Sequence, residues 1–540
     1  MPYLLKAGLE TLKSLHPILY EINTRCWLAA LSHREGRVVT LADVPESEFS
    51  YWLRLGFTHI WLMGVWTTGP RSRALALNDP GLRELFDRVL PDWREADVSG
   101  SPYAIGAYEV PPTLGGESAL QIFREKLNRC GLKLLLDFVP NHLGLDHLWA
   151  VERPELFVQC PPNTPGSFEL QTNSGTRWLA HGKDPYFTPW TDTIQLDYRR
   201  PETRDAMKTL LQSAASRCDG VRCDMAMLVL NDVFQKTWVQ FPAAAIPPAS
   251  EFWADAIFAV RAANPGFLFL AEAYWGLQSR LQELGFDFTY DKDLYDRVIA
   301  RQAAEVQRHL LEASPSYVEH SAHFLENHDE RRIAQVLPPD EHRAAAVLTL
   351  GLPGMRFLHE GQLSGKRIHV PVQLSRAPDE PVDTQIKTFY ENVLTALNSP
   401  ITLAKIGRAA NALPSIGRGE FKLLSPEPAW PGNPSFESFI IVQWEFPSDQ
   451  QGNAPAISKK AETPRWFHMF TLVVVNLASH QAQCRVRLSV PGLAGVNWEL
   501  RDLLGGGNFR RDGSGLEHEG LFLDLPGSGA QLLFGRPLGS

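Results

Sequence analysis

Short apolar runs rich in β-branched and aromatic residues recur along the first two thirds of the chain, and longer stretches with helical spacing separate them. Eight runs stand out, near Ile18–Ile22, Thr58–Met63, Leu132–Val139, Gly220–Asp224, Phe267–Glu272, Phe286–Tyr290, Ala322–Asn327 and Met355–Leu358. Between them Ser118–Cys130, Pro201–Cys218, Ser250–Ala263, Leu294–Ala313 and Asp340–Leu350 are amphipathic, with Pro201 suited to a first helical turn and Gly131 to a C-terminal stop. Strands alternating with helices call for a parallel sheet, and eight of them predict an α/β fold, a (β/α)₈ TIM barrel.

Two departures from that rhythm predict further units. The stretch from Leu143 to Thr193 is far longer than one crossover helix needs and is rich in Pro, Gly, Asn and Asp, so a small subdomain inserted after strand 3 is expected. Beyond about Pro400 helical spacing gives way to alternating runs at Phe439–Trp444, Phe470–Leu477, Ala482–Leu488 and Leu521–Leu525, predicting a C-terminal all-β sandwich. The expected division is a barrel over 1–142 and 194–400, an insertion over 143–193 and a β domain over 401–540. Pro447–Pro464 reads as a mobile surface loop, and the segment before Ile18 as a helix.

Composition narrows the function. The 540 residues are 44% hydrophobic and 21% charged, enough for a large core and incompatible with wholesale disorder. The net charge of −9 disfavours a polyanionic partner, so nucleic acid is not expected. No apolar window is long enough to span a bilayer and the N-terminus lacks a secretory pattern, so a cytoplasmic protein without membrane association is expected. Six scattered cysteines lack metal or redox spacing and read as buried free thiols; the Cys218–Cys223 pair reads as packing.

The chemistry is expected where barrel strands end, because side chains from different strands converge at the C-terminal rim. Four strands end in acidic or histidine residues: LLLDFVPNH (Asp137, Asn141, His142), GVRCD (Arg222, Asp224), FLFLAE (Glu272) and FLENHD (His328, Asp329). Three converging carboxylates, Asp224, Glu272 and Asp329, raise one another's pKa, a liability unless the chemistry uses it. Retaining glycoside cleavage does, since it needs an ionised nucleophile and a protonated acid across one sugar ring. Arg222 shares a strand face with Asp224 and can keep it ionised, while Glu272, next to an apolar run and to Tyr274 and Trp275, is the natural proton donor.

The ordered set DFVPNH, GVRCD, FLAE and FLENHD resembles the four signature segments of the α-amylase family, glycoside hydrolase family 13. DTIQLDY (Asp192–Tyr198) is similar to a family motif near the end of the inserted subdomain, and SPYAIGAYEVPPTLGG (Ser101–Gly116) to the segment with the sugar-stacking tyrosine. The resemblance implies Asp224 as nucleophile, Glu272 as general acid/base and Asp329 as transition-state stabiliser. It also implies that His142 and His328 hydrogen-bond the sugar, Arg222 orients Asp224, and Tyr103 stacks beneath the ring. Asp137 also matches, but its place within its motif reads as structural.

The sequence departs from the family at Met227 and Leu228, where many members carry a Lys-His pair serving the acceptor side and a calcium ligand, and at Ala104 and Ala107, where acidic residues are frequent. Asn141 and Asp197 are potential ligands for a hard cation, but six to eight oxygens cannot be assembled, so neither metal nor cofactor is expected. Trp66, Trp190 and Trp275 each suit a pyranose face or the core, and Arg331–Arg332 reads as solvated or ion-paired. The leading expectation is a retaining enzyme acting on an α-glucan or malto-oligosaccharide, with α-1,4 bonds foremost. Transglycosylation by the same residues, a non-catalytic sugar-binding barrel and an unrelated metal-dependent barrel are the alternatives.

Overall fold

The computed structural model describes residues 16–241, 248–398, 419–445 and 469–538. The expected N-terminal helix before Ile18, the boundary near Pro400 and the Pro447–Pro464 loop fall largely or wholly outside the described residues.

Eight parallel strands close into a barrel: β1 (Ile18–Asn23), β2 (His59–Met63), β3 (Lys133–Phe138), β4 (Gly220–Cys223), β5 (Leu268–Ala271), β6 (Phe288–Tyr290), β7 (Ser321–His323) and β8 (Met355–His359), with β8 paired to β1. Each contains or adjoins one of the eight apolar runs. Side chains alternate across each strand, so Leu19, Trp61, Leu135, Leu270, Tyr290, Ala322 and Phe357 fill the barrel interior. The opposite faces pack against the helices in the main core.

The helices follow their apolar spacing. Gly116–Arg129 buries Ala119, Leu120, Phe123 and Leu127, and Gly131, at φ +79°, turns the chain into β3. Pro201 opens the helix Pro201–Ala215 as expected. The pattern over Leu294–Ala313 forms two helices, Lys292–Ile299 and Ala303–Glu312, broken where Arg301 adopts a left-handed φ of +58°.

The insertion leaves the barrel after β3. At its base His142–Gly144 pairs antiparallel with Thr193–Gln195, and Ser167–Thr172 pairs with Gly175–Ala180 within it. The described part of the C-terminal region is built of β-sheets, as expected, with one short α-helix at Gly513–His518. A six-stranded antiparallel sheet includes Phe439–Glu445 and Phe470–Asn476, and a three-stranded sheet holds Pro426–Pro428, Ala482–Val486 and Leu521–Leu525, with a shared core between them. It docks closely on the barrel: the buried Trp444 indole donates to the Gly351 carbonyl at 3.0 Å. A Cβ on Gly351 would lie 2.5 Å from Val473 Cγ1, so only glycine fits this approach. No helix among the described residues is long and apolar enough to cross a membrane.

Candidate active site

The sheet ladder runs one step past β4 and β5. The Asp224 N–H donates to the Phe138 carbonyl at 2.9 Å and the Glu272 N–H to the Cys223 carbonyl at 3.0 Å. Both carboxylates therefore stand on fixed backbone at the C-terminal rim.

Arg222 organises them from within the barrel. It has no solvent exposure, and its guanidinium lies between 5.2 and 5.7 Å from the ring centres of Trp61, Tyr103 and Tyr290. Nη1 donates to Asp224 Oδ1 at 2.7 Å, and Nη2 stands 2.8 Å from Glu272 Oε2 as an ion pair outside hydrogen-bond alignment. One guanidinium thus bridges the two carboxyl groups. Glu272 has two further donors: the Tyr274 hydroxyl to Oε1 at 2.6 Å and the Met225 N–H to Oε2 at 2.7 Å.

Burial raises both carboxyls. Glu272 is carried up to about 7 against the opposing charge of Arg222, with Asp224 and Asp329 adding to the rise. Asp224 is also raised by burial, restrained by the charge and hydrogen bond of Arg222. Asp329 goes the other way. Its side chain is 49% exposed in the cleft, so desolvation is partial, and His328 Nε2 at 3.0 Å brings it down to about 2.

His328 is held as a cation. Burial lowers its pKa, but Asp329 and Glu21 together raise it well above the ordinary histidine value. Its Nδ1 contacts the fully buried Glu21 carboxylate, and its Nε2 also meets the Tyr103 hydroxyl at 2.7 Å. The Tyr103 and His328 rings lie nearly parallel with centres 5.3 Å apart. His142 belongs to the adjoining wall, where burial takes it down to about 4, a neutral ring 5.1 Å from Trp190.

The structure thus gathers Tyr103, Arg222, Asp224, Glu272, His328 and Asp329 through direct contacts. Asp137 accepts from the Trp61 indole at 3.2 Å and the Gly64 N–H at 2.7 Å, a structural engagement as read. Trp66 is buried, donates to the Asp137 carbonyl and has Arg217 over its ring, so it is core; Trp275 is exposed. Met227 and Leu228 are buried in a 3₁₀ turn, where Met227 packs into the main core. Arg332 is a buried partner of Glu326 at 2.7 Å rather than a surface charge. All six cysteines are free, and Cys130 and Cys160 are partly exposed.

Sequence reasoning missed Glu21, and its signal was present: an acidic residue within the apolar run ILYEIN, two positions from the interior-facing Leu19. The polar role of Trp61 and the Met225 amide carried no such signal.

The potential hard-cation ligands are otherwise engaged. Asp197 receives Arg199 through both oxygens, Nε to Oδ1 at 2.7 Å and Nη2 to Oδ2 at 2.9 Å. Arg199 Nη1 donates onward to the Trp238 and Phe241 carbonyls. The Asn141 amide exchanges hydrogen bonds with Gln195. Among the described residues no group of three or more His, Cys, Asp or Glu is arranged to hold a metal ion. These side chains do not fit a calcium site, because a guanidinium already supplies the positive charge.

Fold and rim define a barrel enzyme whose carboxylates cluster at strand ends. The family model for the α-amylase catalytic domain matches residues 46–373, and the chain belongs to the α-amylase family of glycoside hydrolases and transglycosylases. Alpha-amylase 3 of Dictyoglomus thermophilum is 21% identical over 397 residues, 69% of each chain. Maltase 1 of Drosophila virilis is 24% identical over 417 residues, 68% of this chain and 61% of its own length. In architecture the chain is similar to the maltogenic α-amylase AmyB of Thermotoga neapolitana, with a TM-score of 0.63 and 17% identity over 97% of this chain and 99% of that one. It is also similar to an α-amylase of Lactobacillus plantarum, with a TM-score of 0.61 and 20% identity over 96% and 98%.

Proposed function

We propose that the protein is a retaining glycosidase acting on α-glucans such as malto-oligosaccharides, with α-1,4 bonds as its main target. The observation that carries this is the single buried guanidinium bridging Asp224 and Glu272. The bridge holds both carboxyl groups on one cation, with Glu272 carried up to about 7 by burial and the rise of Asp224 restrained by the charge and hydrogen bond of Arg222, which supports attack by Asp224 and proton donation by Glu272 across one ring.

In this reading Asp224 attacks the anomeric carbon, while Glu272 protonates the glycosidic oxygen as its bond to that carbon breaks. The glucosyl ester neutralises Asp224, which leaves Arg222 paired with Glu272 alone and favours the carboxylate that then takes a proton from water. Asp329, ionised beside His328, stabilises the developing positive charge. Tyr103 stacks beneath the ring, and His142 and His328 bond its hydroxyls. The proposed division remains a barrel over 1–142 and 194–400, an insertion over 143–193 and a β domain over 401–540; the ladder closing the base of the insertion supports the middle limits.

Incubation with maltoheptaose tests the reading. Shorter α-anomeric products are expected at first, with Asp224→Asn reducing the rate by at least about 10⁴-fold. Longer or rearranged glucans would assign transfer instead of hydrolysis. Equal turnover by wild type and Asp224→Asn would overturn the mechanism.

A further inference from the structure

Glu272 has two oxygens in unlike company. Oε2 faces only donors, the Met225 N–H at 2.7 Å and the Arg222 guanidinium at 2.8 Å. Neither can accept a proton. Oε1 faces the Tyr274 hydroxyl at 2.6 Å, a group that can donate to a carboxylate and accept from a carboxylic acid. We propose that Tyr274 is a positioning residue for Glu272, fixing Oε1 as the oxygen that carries the proton and hands it to the leaving group.

This rests on the reading of Glu272 as acid/base. While Glu272 is ionised the hydroxyl of Tyr274 donates to Oε1; once Glu272 is protonated the same contact reverses, and the Oε1 proton points at Tyr274 until a glycosidic oxygen replaces it. The proton then moves from Oε1 to that oxygen as the C–O bond breaks and the Asp224 ester forms. In the second step water loses a proton to Oε1 and its oxygen bonds the anomeric carbon, releasing Asp224.

The backbone on both sides is built for these contacts. Met225 adopts a left-handed φ of +41°, uncommon outside glycine, immediately after Asp224, and this turn aims its N–H at Oε2. After Tyr274 the chain reverses sharply, with Trp275 at φ +62°, Gly276 at φ +72° and the Leu277 N–H bonded to the Tyr274 carbonyl. A bulky aromatic in the left-handed region is a strained choice. The reversal keeps Tyr274 turned back into the site while Trp275 stands exposed. The hydrogen bond from Tyr274 also opposes the rise of the Glu272 pKa that burial imposes.

The test is Tyr274→Phe, followed by kcat and KM against pH on maltoheptaose and on 2-chloro-4-nitrophenyl α-maltotrioside, whose leaving group needs little proton assistance. Loss of a hydrogen bond to a carboxylate is expected to raise the alkaline limb by about one pH unit. On maltoheptaose kcat is expected to fall at least about tenfold at unchanged KM, and much less on the activated substrate. Incorporation of 3-fluorotyrosine at position 274 keeps the shape with a stronger donor, and is expected to move the limb down; it serves equally if the phenylalanine variant does not fold. An active wild type whose limb stays put in these variants, with equal losses on both substrates, overturns the assignment while leaving the glycosidase reading intact. A wild type that turns over neither substrate overturns both.

Discussion

Replacing Arg222 by methionine removes the one cation shared by two buried carboxyls and leaves a side chain of similar length that suits the surrounding aromatic faces. The charge-assisted bond from Nη1 to Asp224 Oδ1 is 2.7 Å long and fully buried on the arginine side. Such a bond contributes about 1.5–3 kcal/mol, which corresponds to a rise of about one to two units in the Asp224 pKa. That pKa is already above the ordinary aspartate value because of burial. Attack requires Asp224 ionised, so the acid limb of kcat/KM moves upward by that amount. Protonated Glu272, near 7 in the wild type, sets the alkaline limb, and the loss of Arg222 moves it up as well. With both limbs displaced toward alkali, activity on the acid limb is expected to fall by about 10–100-fold, more than near the optimum. The assay is hydrolysis of maltoheptaose from pH 4 to 9, beside circular dichroism to confirm folding. Arg222→Lys retains the charge without the fork and is expected to recover part of the shift. A folded Arg222→Met variant whose acid limb coincides with that of the wild type would refute the bridging role.

The remaining expectations concern residues behind the site. Glu21→Gln removes a charge that holds His328 protonated, so the ring's pKa is expected to come down toward 6.5, read by NMR on ¹³C-labelled histidine; an unmoved His328 signal would sink the pairing. Arg199→Met leaves the buried Asp197 without its two-point partner and is expected to lower stability by about 3 kcal/mol in denaturant unfolding, whereas EDTA leaves the wild-type melt and activity unchanged. A chelator-induced loss of either would show that a metal, not Arg199, holds this region.

Much of the barrel was legible because buried parallel strands have to be short, apolar and separated by helical stretches. The carboxylates were legible for a related reason: polar residues at the ends of such runs have few places to go except the rim. What escaped depended on distance or on conformation. The pairing of Glu21 with His328 joins residues 307 positions apart, so the acidic residue in its apolar run marks Glu21 without naming its partner. The break between the two helices of Leu294–Ala313 carries no Gly or Pro, since Arg301 takes the left-handed turn itself. In the β domain, Asn508–Asp512 is a strand of sequence NFRRD that alternates exposed and half-buried positions at a sheet edge, so its backbone pairing prevails over a polar composition. The burial of Met227 and Leu228 was likewise not readable from spacing, because it follows from a 3₁₀ turn just after Asp224.

Arg199 clasps the segment just after the insertion to the one that follows the Asp224 strand, and it does so with a charge that is covalently part of the chain. A tethered charge has no dissociation constant. Dilution and sequestering buffers leave its occupancy at unity, so this contact between the two segments is set when the polypeptide is made.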